Sequence, residues 1–294
     1  MLSILIPTYN YNIVKLVKDL HQQALEQYID FEIIVMEDGS SIFLDDNKEI
    51  DKLVNCKYIV LDKNIGRSAI RNKLANTANF EHLLFMDCDA EVCSLKFIEK
   101  YLGFCNEECV VIGGTAYDPN EHNPNFSLRL KYGRMREART ALERTKNNFS
   151  TFNFLISKSI FNQVRFDENI RGYGHEDMLF GHQIHQLGYE FIQIDNPLIH
   201  RGLDDNSTFI RKTEEGTKNL FLLYQTGSYP YLTEESKLLR IFSKIKKMGL
   251  VGLFALKFDT TKKMFRILLC RKSPSLFLYD FYKILFLCKT SIIK

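Results

Sequence analysis

Two aspartates flank a cysteine at Asp87-Cys88-Asp89, directly after the apolar run Leu83-Leu84-Phe85-Met86. If the chain stays extended, alternation puts both carboxylates on one side of a buried strand's end. Hard oxygen donors so placed suit Mg2+ or Mn2+ shared with substrate phosphates, with Cys88 pointing away as filler. The simpler alternative is a strand-terminal turn with solvated aspartates. A second acidic pair, Glu176-Asp177, opens a helical stretch after Arg171-Gly172-Tyr173-Gly174-His175. These carboxylates either cap the helix, whose dipole favours anions there, or one removes a proton from a hydroxyl while the other holds the acceptor. His200, in Leu198-Ile199-His200-Arg201-Gly202, is either a third metal ligand or a structural imidazole. Asn64, Gly66, Arg67, Ser68, Arg71 and Asn72 lie around a helix start, where free amides and guanidinium forks suit a diphosphate. A pair of surface charges is the other reading of Arg67 and Arg71.

These groups need a scaffold that gathers them. Leu2 to Ile6, Phe31 to Met36, Tyr58 to Leu61 and Leu83 to Met86 are short apolar runs, most of them separated by stretches of helical length. The pattern predicts an α/β fold, a mostly parallel sheet flanked by helices. Ligands of such sheets bind beyond the carboxyl ends of the strands. Pro7-Thr8-Tyr9-Asn10, Glu37-Asp38-Gly39-Ser40 and Asp87-Cys88-Asp89 follow three of those ends, so one rim carries the chemistry. The glycine pattern of dinucleotide-binding folds and that of P-loops are both missing. Further on, Val110 to Gly114 predicts a strand ending in Gly113-Gly114, and Leu128 to Arg144 a charged helix or lid. Thr151 to Ser157 predicts another strand, and Glu176 to Leu187 a helix closed by Gly188. His175, His182 and His185 lack the H-E-x-x-H spacing of a zinc helix.

Of the 294 residues 45% are hydrophobic and 26% charged, enough apolar material for one large domain with an appendage. The net charge of +3 conceals an asymmetry. Residues 237 to 294 hold 14 Lys/Arg against 2 Asp/Glu, a local +12, so the remainder carries about −9. The acidic part bears the candidate chemistry, which argues against nucleic acid as a partner. In Lys244 to Lys263 and Arg266 to Lys289, apolar residues interleave with cations, as in helices that lie on anionic lipid or pack an apolar stripe on a neighbour. No run reaches the length of a membrane span. Met1 to Pro7 reads as a buried strand rather than a signal peptide, and seven scattered cysteines suggest neither a disulfide framework nor a zinc cluster. A cytoplasmic location, peripheral on the inner face of a membrane, is the expectation.

Ile4-Leu5-Ile6-Pro7-Thr8-Tyr9-Asn10, Glu37-Asp38-Gly39-Ser40, Gly66-Arg67-Ser68-Ala69-Ile70-Arg71-Asn72 and Phe85-Met86-Asp87-Cys88-Asp89, in that order and spacing, resemble glycosyltransferase family 2. Gly172-Tyr173-Gly174-His175-Glu176-Asp177 resembles the G-x-G-x-E-D element of its chondroitin-polymerase-like members and of the β-1,4-galactosyltransferases. The resemblance implies a GT-A fold and an inverting hexosyltransferase whose UDP-sugar donor is bound through Mn2+ or Mg2+. Carried over by position, Pro7, Thr8, Tyr9 and Asp38 would hold the nucleoside, with Asp38 on the uracil. Asn64, Arg67 and Arg71 would border the diphosphate, Cys88 would lie along the nucleotide-sugar, and Gly113 and Gly114 would line the sugar pocket. Asp89 would be the principal metal ligand, His200 another, and Asp87 would touch the ribose or the metal. Asp177 would be the general base and Glu176 would bind the acceptor or donor sugar. Tyr173 stands where relatives commonly carry tryptophan, a residue this chain lacks. The implied organisation is a catalytic domain over 1–205, a helical connection over 206–236 and a basic amphipathic segment over 237–294. The implied function in polysaccharide biosynthesis is transfer of a hexose or N-acetylhexosamine to a glycan or lipid-linked glycan. The alternative is a non-catalytic nucleotide-sugar-binding subunit of a polysaccharide assembly.

Overall fold

The computed structural model describes residues 1–145, 149–170, 172 and 174–292. The chain divides into two units. One comprises Met1–Asp118, Arg134–Arg171 and Glu176–Gly202, and the other Pro119–Gly133, Gly172–His175 and Leu203–Lys294.

The first unit is built on strands β1 (Leu2–Thr8), β2 (Phe31–Glu37), β3 (Cys56–Val60), β4 (His82–Met86), β5 (Ala90–Val92), β6 (Val110–Ile112), β7 (Thr115–Ala116), β8 (Asn153–Ser157), β9 (Phe191–Gln193) and β10 (Leu198–His200). Seven of them form one sheet in the order β3-β2-β1-β4-β8-β6-β9, and β5-β10-β7 form a small second sheet. In the large sheet only β8 runs against its neighbours. The apolar runs are continuous because both faces are covered and side chains alternate between them. Leu2, Ile4, Ile6, Ile33, Val35, Leu84, Met86 and Leu155 enter one core. Leu5, Ile34, Met36, Leu83, Phe85, Phe154 and Ile156 enter the other. Helix α1 (Val14–Glu26) packs Leu16, Val17 and Leu20 into the first core. Helices α2 (Arg67–Thr77) and α3 (Glu176–Gln186) send Ile70, Leu74, Phe180 and Ile184 into the second.

Parallel register fixes which strand ends share a rim. Thr8 lies beside Glu37 and Leu5 beside Phe85, so β1, β2 and β4 release Tyr9, Asp38 and Asp87 on the same side. One expectation needs revision. The stretch from Leu128 to Arg144 is not one helix: an α-helix over Ser127–Tyr132 passes into a π turn over Gly133–Glu137, and turns follow.

The second unit holds helices α4 (Asn206–Thr226), α5 (Lys237–Lys247), α6 (Val251–Leu269) and α7 (Leu276–Ile292), of which α4, α6 and α7 build a core that includes Leu128, Phe209, Ile210, Phe258, Phe265, Tyr279, Tyr282 and Leu285. Asp205 caps α4, accepting from the amides of Ser207 and Thr208 at 2.9 and 3.0 Å. Hydrogen bonds from the hydroxyls of those same two residues hold its carboxyl well below the usual range. Among the described residues no helix is long and apolar enough to cross a membrane.

The buried Asn206 side chain ties the segment around Ser127 to the start of α4. It accepts from the Leu128 amide at 2.8 Å and donates to the Pro124 carbonyl at 2.9 Å. Truncation strands both backbone groups, so Asn206→Ala should lower stability by about 2 to 3 kcal/mol. An unchanged denaturation midpoint would show that the two bonds do not hold this unit together.

Candidate active site

The helix start next to β2 is fixed first. Asp38, nearly fully buried at the end of β2, accepts from the amides of Ile65 and Gly66 at 2.6 and 3.1 Å. Gly66, at φ 90°, caps α2. Gly39, at φ 70°, lets the next turn close against the Lys63–Asn64 backbone, which a Cβ would overlap. Both Asp38 oxygens are therefore engaged in holding the loop that carries Asn64, before any duty toward a base. Glu37, fully buried beside it, accepts from Asn47 at 2.8 Å, from Tyr58 at 3.0 Å and from Ser40. Pro7 and Thr8 complete the end of β1, and Tyr9 follows them as an exposed aromatic ring.

The two arginines of α2, one turn apart, have different fates. Arg71 is buried, donates to Asp87 Oδ1 at 2.6 Å and lies 5.6 Å over the Phe166 ring. It is thus a positioning cation for Asp87 rather than an exposed clamp, because its side of α2 faces the sheet. Burial pushes the Asp87 carboxyl up, the Arg71 charge opposes this and the Asp89 charge adds to it. Arg67, half exposed, reaches to 3.6 Å from Glu176 Oε1.

The chain turns immediately after β4, so strand alternation does not set the directions of Asp87 and Asp89, whose charges still interact. The Ala90 amide donates to the Asp87 carbonyl at 3.3 Å, and β5 then leaves in a new direction. Asp89 is delivered to His200 by the antiparallel pairing of β5 with β10, which sets Ala90 opposite His200, and the Arg201 amide donates to the Asp89 carbonyl at 2.8 Å. His200 Nε2 lies 3.0 Å from Asp89 Oδ2. Burial opposes ionisation of Asp89, but the hydrogen bond and charge of His200, with Arg67, carry its carboxyl below the usual range. Asp89 Oδ1 is buried with no hydrogen-bond partner. A buried carboxylate oxygen left open next to an imidazole is a fitting donor pair for a hard divalent cation. Asp87 stays with Arg71, and among the described residues no cluster of three metal-ligating side chains forms. Cys88 packs against the core as filler, its thiol pushed up by burial.

Sequence reasoning missed Gly202. A Cβ there would overlap the Asp89 carboxylate, so glycine is the residue that lets the chain pass so closely. The signal was available, since this glycine lies two residues after the histidine.

Glu176 and Asp177 occupy the first turn of α3. Glu176 is buried, and its Oε2 has no partner. Burial and the neighbouring Glu176 charge push the Asp177 carboxyl up to about 6. The first turn is thus a partly desolvated carboxylate pair, reached by the Arg67 guanidinium and within the field of Arg71. Just before it, Gly172 and Gly174 take φ of 96° and 90°. Arg171 and Tyr173, part of the expected motif, lie outside the described residues.

Gly113 and Gly114 depart from expectation. The Tyr101 hydroxyl and the Asn153 amide close on Gly113, and the Arg144 guanidinium covers Gly114. Arg144 donates to the carbonyls of Ile194 at 2.5 Å and Gly113 at 3.3 Å. The two glycines make room for that packing on the side where a Cβ would project. Nothing in the sequence set Arg144 apart from the other charges of its stretch.

A model of glycosyl transferase family 2 matches residues 3–165. Chondroitin synthase from Escherichia coli is 22% identical over 302 residues, covering 90% of this chain and 43% of that protein. The chain thus spans less than half the length of that curated relative. Among solved structures, S. aureus TarS 1-349 in complex with UDP has a TM-score of 0.51 at 19% identity, over 74% of this chain and 65% of that one. Mannosyltransferase PcManGT from Pyrobaculum calidifontis, in complex with GDP-Man and Mn2+, has a TM-score of 0.59 at 13% identity, over 99% and 86%. These structures establish the fold as GT-A, and with a family model that spans more than half of its residues, the chain belongs to glycosyltransferase family 2.

Proposed function

We propose that the chain transfers a hexose or N-acetylhexosamine from a UDP-sugar, with inversion, to a glycan or lipid-linked glycan. The observation that carries this reading is a pair of buried, partnerless carboxylate oxygens, on Asp89 beside His200 and on Glu176 beside Arg67. Buried polar atoms are rarely left unpaired without a ligand to meet them. The donor class is supported by the solved neighbours, one bound to UDP and one to GDP-Man with Mn2+. The acceptor class is supported by the chondroitin synthase relatives.

In this reading Asp89 and His200 hold Mn2+ or Mg2+, and when bound the ion supplies charge neutralisation to the leaving diphosphate. Arg67 approaches the same charge from the start of α2, while Arg71 pairs with Asp87 and orients it toward the nucleotide. Tyr9, Pro7 and Thr8 border the nucleoside, and the turn held by Asp38 brings Asn64 to the same rim. Asp177 accepts the proton of the acceptor hydroxyl as its oxygen attacks the anomeric carbon and the bond to the diphosphate breaks. Glu176, linked to Arg67, orients a sugar hydroxyl with its open oxygen.

Asp177 acts as a base only when ionised, so kcat/KM should rise with pH through about 6 and level off above it. Asp177→Asn should keep donor binding and lose at least about a hundredfold in kcat. The same shift has a stability consequence. The folded-state value lies above the ordinary 3.8, so the ionised carboxylate opposes folding, a penalty absent below 3.8, growing up to about 6 and complete above it. Asp177→Asn should therefore be more stable than the parent at neutral pH, by up to about 3 kcal/mol, with the gain vanishing in acid. Parent-like turnover in this variant would refute the base assignment.

Measured calorimetrically with UDP present, Mn2+ affinity should fall at least about tenfold on Asp89→Ala and hardly change on Cys88→Ala. Equal losses from the two would show that the triplet acts through its fold rather than its carboxylate. A panel of UDP- and GDP-sugars with Mn2+, scored for released nucleotide with and without glycan acceptors, should show acceptor-stimulated release from a UDP-sugar that chelator abolishes. Tight donor binding with no release under any condition would favour a non-catalytic binding subunit.

A further inference from the structure

Helix α6 carries two apolar faces where the packing of its unit needs one. Ala255, Phe258, Phe265 and Leu269 form the buried face. On the opposite side Leu253, Leu256, Thr260, Met264 and Ile267 follow one another at helical spacing and form a single stripe. The four large side chains of that stripe are 51 to 64% exposed. Thr260 turns its hydroxyl back to the Lys257 carbonyl at 3.0 Å, which removes the one polar group of the stripe from solvent duty.

The charges around the stripe all have one sign. Lys257 and Lys263 border it and make no ion pair among the described residues, whereas Asp259, the acid of this helix, is paired with Lys289 at 2.6 Å. Lys244, Lys246 and Lys247 close the preceding helix just before the exposed Met248, and Arg271 and Lys272 follow α6 just before the exposed Phe277. An apolar stripe bordered by unneutralised lysines complements an anionic lipid surface, with alkyl side chains among the acyl chains and ammonium groups at the phosphates. Since no described helix is suited to crossing a bilayer, the contact is interfacial. We infer that the Leu253, Leu256, Met264 and Ile267 face of α6 docks the second unit onto a membrane surface rich in anionic lipid.

The test is cosedimentation of the full chain with vesicles of phosphatidylcholine alone or mixed with phosphatidylglycerol, without any sugar donor, so that failure of sugar transfer has no bearing on it. The parent should bind the mixed vesicles and not the neutral ones, and binding should weaken as salt is raised. Leu256→Glu/Ile267→Glu should lose at least about tenfold in affinity while keeping its helical circular dichroism and its donor turnover. Lys257→Ala/Lys263→Ala, which leaves the apolar stripe intact, should lose a smaller but measurable part. The inference is overturned if the parent binds neither vesicle, or if it binds both equally and the lysine variant matches it. It is also overturned if the parent is a dimer in solution that Leu256→Glu/Ile267→Glu dissolves, which would assign the stripe to a second copy.

Discussion

Three antiparallel residue pairs between β5 and β10 bring together side chains that the sequence separates by 111 positions. The chain turns after β4 instead of continuing the sheet, and the short strand that follows finds its partner in the residues leading to His200. From that pairing follow the approach of His200 to Asp89, the passage of Gly202 over the carboxylate and the desolvation that makes an unpaired Asp89 oxygen costly without a ligand. Arg201 reinforces the same ladder from outside, donating to Glu91 and, at 2.6 Å, to Asp118.

The large sheet supplies what the small one cannot, a rigid common rim. Two-sided burial leaves its strands little freedom of register, since a shift by one residue would exchange the contents of the two cores. The rim inherits that rigidity. Asp87 is aimed by a buried arginine, Asp38 is committed to two amides at the start of α2, and Arg67 is left as the cation nearest Glu176. Charges are therefore divided between those that build the site and the buried oxygens of Asp89 and Glu176 that have no partner.

Much of this was legible in the sequence. Continuous apolar runs announced a doubly covered sheet, and polar residues at their carboxyl ends announced the rim, because both follow from local periodicity. The meeting of Asp89 with His200 was one of two open readings of the residues, and the resemblance favoured it. What failed was direction. Spacing of one helical turn could not say that Arg71 faces the sheet while Arg67 is half exposed, and strand alternation could not foresee the turn over Cys88 and Asp89 that ends β4. At Gly113 and Gly114 the sequence could not show that Tyr101, Asn153 and Arg144, from three other parts of the chain, fill the space a Cβ would take. The charged stretch after Leu128 looked like one helix because its composition is helical throughout, yet the regular α-helical turns end at Tyr132.

We propose that a divalent cation meets the side chains of Asp89 and His200 here, no cluster of three such ligands forming among the described residues, so the donor diphosphate must complete its coordination. Mn2+ binding followed by electron paramagnetic resonance, with and without UDP, tests it most directly. The account predicts weak binding to the protein alone and a rise of at least about tenfold in affinity when UDP is present. Tight binding without nucleotide, or an affinity that UDP leaves unchanged, would contradict it.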